Sequence, residues 1–65
     1  MYGQKIKELR QEKGLTQAQL AEKISTTAST IGKYEREELQ PNVDMIISLS
    51  KFFGVSADYL LGLEN

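Results

Sequence analysis

At 65 residues the chain has room for a single domain, and a chain this short buries only about 60% of the surface its unfolded form exposes. It holds no cysteine and no histidine, which removes disulfides, thiolate metal sites, the commonest metal ligand and the commonest general base. No apolar run approaches the roughly 20 residues of a membrane span, so a soluble, cytoplasmic protein is expected, and its net charge of −1 speaks at first against nucleic acid.

That net charge conceals an asymmetry. Residues 1–36 carry seven basic and four acidic groups, whereas residues 37–65 carry one basic and five acidic. Attraction to phosphate follows the local potential, so a basic N-terminal half is compatible with DNA.

In chain order, the first helix is expected over roughly Gly3 to Lys13, with Tyr2, Ile6 and Leu9 at helical spacing toward the core. Lys13-Gly14 closes it, since glycine after a helix adopts the left-handed conformation freely. Thr16 opens a second helix through the capping box Thr16-Gln17-Ala18-Gln19, whose apolar face is Leu20, Ala21 and Ile24. Ser25-Thr26 breaks it. Thr27 then caps a third helix running to about Arg36. Pro41 cannot prolong that helix, because it lacks an N–H and clashes with the preceding turn. Asn42 caps a fourth helix, Val43 to Phe53, with Val43, Ile46, Leu49 and Phe53 on one face. Gly54 ends it, Ser56 caps a short fifth helix from Ala57 to Leu61, and Gly62 closes that. No strand pattern occurs. The expectation is a compact all-α, five-helix domain over 1–65.

The informative feature is the second and third helices joined by a very short turn, over about 16–36. This is helix-turn-helix spacing, in which the second helix of the pair can enter a major groove. At about 100° per residue, Ile31, Tyr34 and Glu35 share one side of the third helix. Ile31 and Tyr34 are expected to anchor it. The opposite face carries Ser29, Gly32, Lys33 and Arg36, with Ala28 at its edge, and is expected to be open. Ser29 can hydrogen-bond a base edge, Lys33 can donate to guanine, and Ala28 can touch a thymine methyl. Gly32 is a poor helix residue unless the backbone must approach the duplex closely. Gln17 lies in the first turn of the second helix, where a phosphate is favoured; it either donates to phosphate or simply fills the helix start. Thr27 has the same two readings, cap and phosphate donor.

Several runs in this order resemble the Cro/cI-type (XRE) helix-turn-helix family of phage and bacterial repressors. They are Lys5-Ile6-Lys7-Glu8-Leu9-Arg10, Gly14-Leu15-Thr16-Gln17-Ala18-Gln19-Leu20-Ala21-Glu22-Lys23, Ser29-Thr30-Ile31-Gly32-Lys33-Tyr34-Glu35-Arg36, Pro41, and Phe53-Gly54-Val55-Ser56-Ala57-Asp58-Tyr59-Leu60-Leu61-Gly62. The resemblance covers about Gln4 to Gly62. It implies a lambda-repressor-like five-helix domain binding pseudo-palindromic operator DNA as a homodimer. It places Gln17 and Thr27 at phosphates, and Ala28, Ser29, Gly32 and Lys33 at or beside base edges; Arg36, on the same basic face, is a further candidate phosphate contact. It also implies a structural ion pair between Arg10 and Glu35. Two departures stand out. Ser25 replaces the family's usual turn glycine and must take an unfavourable backbone conformation or reshape the turn. Glu37-Glu38-Leu39 replaces a glycine followed by basic residues, so two carboxylates face a loop that commonly touches DNA, next to Arg36 and able to pair with it.

The function expected is sequence-specific transcriptional regulation, as a repressor, with no cofactor, no metal and no enzymatic activity. Exposed apolar residues of the acidic half (Met45, Ile47, Phe52 and Leu63) are candidates for a dimer interface. The alternative is a protein-interaction module on the same fold, an antitoxin-like or anti-repressor partner, motivated by Glu37, Glu38 and the acidic C-terminal half.

Overall fold

Four side-chain caps divide the chain into its elements. In the computed structural model, which describes residues 2–63, five helices follow one another: α1 (Tyr2–Glu12), α2 (Gln17–Lys23), α3 (Ala28–Glu35), α4 (Val43–Phe53) and α5 (Ala57–Leu60). Thr16 caps α2 through a complete capping box: its hydroxyl accepts from the Gln19 amide, and the Gln19 side chain accepts from the Thr16 amide. Thr27, Asn42 and Ser56 cap α3, α4 and α5 by accepting from the third helical N–H. Each cap satisfies a donor that the helix cannot bond internally, which is worth about 1 kcal/mol. The observed helices agree with the expected ones to within a residue or so at each end.

The core takes one fully buried side chain from every helix: Ile6, Leu20, Ile31, Leu49 and Leu60. Burying a side chain of this size contributes about 1.5–3 kcal/mol. Leu9, Ala21, Ile24 and Tyr34 complete the buried set, with Tyr2, Met45, Ile46, Phe52, Phe53, Val55 and Tyr59 packed on it. Val43 is a correction: placed on the core face by periodicity, it is 71% exposed. It is the first residue of α4, next to the Asn42 cap, and the core contacts of this helix begin only at Met45 and Ile46. Met45 and Phe52 pack against the core rather than standing free, while Ile47 and Leu63 are exposed.

Two turns use the left-handed conformation without glycine. Ser25 has φ 60°, so the turn accepts the unfavourable backbone rather than reshaping around it. Its neighbour Thr26 donates its amide to the Ala21 carbonyl at 2.9 Å, closing the end of α2. Glu37 repeats the device after α3, also at φ 60°. There the Glu37 amide donates to the Tyr34 carbonyl at 3.0 Å and the Glu38 amide to the Lys33 carbonyl at 2.8 Å. This pair of bonds is the Schellman closure, which ordinarily favours glycine at its left-handed position. Pro41, which ends any continuation of this segment, is buried.

Gly3 is where α1 meets the end of α3. A Cβ built there would lie 2.6 Å from the Tyr34 carbonyl oxygen and 2.8 Å from that of Glu35. Only a residue without a side chain lets the two backbones approach this closely.

Candidate nucleic-acid interface

Helix α3 is pinned to the protein along one side and open along the other. Ile31 and Tyr34 are buried, as their spacing predicts. Burial pushes the Tyr34 phenol above its ordinary pKa of 10.0, so it stays neutral. On the outer side, Ser29 and Lys33 are exposed and Ala28 is half-buried at the edge. These three form a short, polar, positively charged strip without a long apolar group.

Behind α3 lies a chain of charged hydrogen bonds. The Arg10 Nε donates to Glu35 Oε2 at 2.7 Å and Nη2 to Oε1 at 3.2 Å. This is the ion pair that the family resemblance implies. It is largely enclosed, with side-chain exposures of 12% for Arg10 and 5% for Glu35. Arg10 also donates from Nη1 to the Leu15 carbonyl at 2.7 Å, tying α1 to the loop before α2. Gln17 joins the same carboxylate, its Nε2 donating to Glu35 Oε1 at 3.1 Å. Three helices are therefore fixed through one guanidinium–carboxylate pair. The two-pronged geometry uses the planar fork that lysine lacks.

The Gln17 link to Glu35 was not legible in the sequence, and no motif signals it. It fixes the amide at the start of α2, with Nε2 turned toward Glu35. Thr27 accepts from the Thr30 amide at 3.2 Å, and its hydroxyl lies 3.0 Å from that of Thr30 at an exposed position. Its capping reading holds, and the site stays accessible.

Two positions differ from a simple open strip. Gly32 is buried rather than presented to solvent. The Arg36 guanidinium folds back over it, with Nη1 2.9 Å from where a Cβ would stand, and the Gln17 amide flanks it at 3.5–3.6 Å. The absent side chain thus seats a neighbouring arginine. Arg36 itself is engaged: Nε donates to Glu38 Oε2 at 2.7 Å and Nη2 to Oε1 at 3.4 Å. Both side chains are more than half exposed. The hydrogen bond and charge of Glu38 raise the Arg36 pKa, and the bond from Arg36 holds the Glu38 carboxyl below its ordinary value.

An all-helical arrangement among the described residues, in which α2 and α3 pack together and α3 carries a polar outer strip, defines a helix-turn-helix domain. The profile of the helix-turn-helix family matches residues 6–60, and the chain belongs to this family. It is 44% identical over its whole length to the HTH-type transcriptional regulator YobD of Bacillus subtilis, covering 58% of that protein. It is 42% identical to the HTH-type transcriptional regulator ImmR of the same organism, over 97% of this chain and 50% of ImmR. The chain therefore spans about half the length of these curated relatives. Among solved structures, the P22 c2 repressor in complex with a synthetic operator superposes with a TM-score of 0.92 at 31% identity, covering 98% of this chain and 97% of that one.

Proposed function

We propose that this domain is a sequence-specific DNA-binding unit of a cytoplasmic transcriptional repressor, with α3 entering the major groove of its operator. The observation that carries this reading is the outer strip of α3. Ser29 and Lys33 are exposed, Ala28 borders them, and Ile31 and Tyr34 hold the opposite side in the core. A helix anchored in this way presents base-reading groups on a rigid support. The similarity to a repressor solved with its operator supports the same reading.

In this account Lys33 donates to guanine acceptors, Ser29 bonds a base edge and Ala28 meets a thymine methyl. Thr27, the amide hydrogen that Gln17 does not give to Glu35, and Arg36 when it leaves Glu38 are assigned to phosphates, and Gly32 acts indirectly by seating Arg36. A single copy offers few base contacts, so two copies reading half-sites about 34 Å apart on a pseudo-palindrome are expected. Exposed Ile47 and Leu63 are candidates for the contact between copies. The domain acts without cofactor or metal, its ligand being the operator.

Binding to a DNA duplex is expected to weaken steeply as salt rises, because phosphate contacts release counterions. Retention independent of salt would overturn the reading. Recovery of a protein partner by a domain that holds no DNA at low salt would favour an interaction module instead.

A further inference from the structure

The loop after α3 places a carboxylate where a DNA-facing surface ordinarily excludes one. Glu38 does not point away from the strip. It is hydrogen-bonded to both Nε and Nη2 of Arg36, while the third nitrogen, Nη1, lies over Gly32 in the middle of α3. The backbone fixes this arrangement. Glu37 in the left-handed conformation turns the chain back, and the Glu38 amide bonds the Lys33 carbonyl at 2.8 Å, holding residue 38 beside the last turn of the helix. A carboxylate gripped by two guanidinium nitrogens makes the same planar, two-pronged contact that a phosphate makes.

We propose that Glu38 sets the strength of DNA binding by occupying Arg36 in place of a backbone phosphate. This rests on the DNA-binding reading above. Arg36 can reach phosphate only after leaving Glu38, which must then be solvated or paired with a cation from solution. The exchange replaces one ion pair by another and reduces the net release of counterions. Binding is accordingly weaker, and less dependent on salt, than the number of basic side chains on this face implies. The effect is uniform across sequences, because phosphate contacts carry no base information.

The test is a double-mutant cycle on the intact chain, using Glu38→Gln, Arg36→Gln and the two together. The probe is a fluorescein-labelled mixed-sequence DNA duplex of about 20 base pairs, titrated over a range of salt concentrations. Both side chains are exposed, so neither substitution disturbs the core. Glu38→Gln is expected to tighten binding by about 1.4- to fivefold, the range set by an exposed ion pair. It is also expected to steepen the slope of log K against log salt by about 0.9, one additional phosphate contact. In the Arg36→Gln background both gains disappear. A gain that persists undiminished without Arg36 would mean simple repulsion between a carboxylate and DNA, and overturns the proposal. So does an unchanged affinity in Glu38→Gln when the wild-type chain binds the duplex. Absence of binding by the wild-type chain even at low salt overturns the DNA-binding reading itself, and the proposal with it.

Discussion

Arg10→Ala is the substitution that most severely tests how α3 is supported. Glu35 accepts from two Arg10 nitrogens and from Gln17, and its side chain is only 5% exposed. Truncating Arg10 leaves that carboxylate enclosed with the Gln17 amide as its remaining partner, and it also strips the Leu15 carbonyl of its donor. Breaking an enclosed pair from one side costs about 3–5 kcal/mol. The lower end applies here, since Arg10 keeps some contact with solvent. A chain of this length has a total stability of about 3–10 kcal/mol, so a loss near 3 kcal/mol consumes a large share of it. At roughly 4–8 °C per kcal/mol for small domains, the Tm should fall by at least about 12 °C. Thermal and urea unfolding followed by circular dichroism reads this directly, with exposed Lys7→Ala as a neutral control within about 0.5 kcal/mol. The paired replacement Arg10→Met with Glu35→Leu should be less damaging than Arg10→Ala, because it leaves no unpaired charge behind. An Arg10→Ala variant as stable as Lys7→Ala would refute the view that this pair holds α1, α2 and α3 together.

Other outcomes follow from single positions. Ser25→Gly should raise the urea midpoint, with an unchanged m-value, by about 0.5–1 kcal/mol of stability: it relieves a left-handed residue but adds freedom to the unfolded chain. Gly3→Ala should destabilise by about 1–3 kcal/mol, because its methyl would meet the Tyr34 and Glu35 carbonyl oxygens, which belong to rigid backbone. Gly32→Ala should instead hold or slightly raise the urea midpoint, by up to about 1 kcal/mol, since the atom its methyl meets is the movable end of Arg36; a large loss would contradict that reading. Lys33→Ala should relax preference at one base position in duplex competition, and a uniform loss across sequences would reassign Lys33 to phosphate.

Much of the fold was legible because its punctuation is local. Thr16, Thr27, Asn42 and Ser56 each bond an amide within their own first turn, so the sequence alone marks where α2 to α5 begin. Gly14, Gly54 and Gly62 all have positive φ after helices, as their positions predict. Ser25 was recognisable as a strained turn from the glycine it replaces; Glu37 also stands where the resemblance has glycine, but glutamate itself has no preference for the left-handed region that would mark its conformation. Val43 misled since helical period records the side of a helix and not how far the core extends along it. Ala28, Ser29 and Lys33 were readable as an outer face from spacing. The covering of Gly32 was not, for it depends on which way Arg36 folds, and that is decided by Glu38 two residues later. The ion pair of Arg10 with Glu35 spans 25 residues, a distance over which single-sequence spacing carries no information; the family resemblance supplied it.

The most direct test of the central claim is selection of duplexes from a random-sequence library by the purified chain, read together with the mass of the complex. The account predicts a recurring pseudo-palindromic motif, held by two copies, with half-sites about one helical turn apart. Recovery of sequences with no shared motif, whatever the mass, would contradict it.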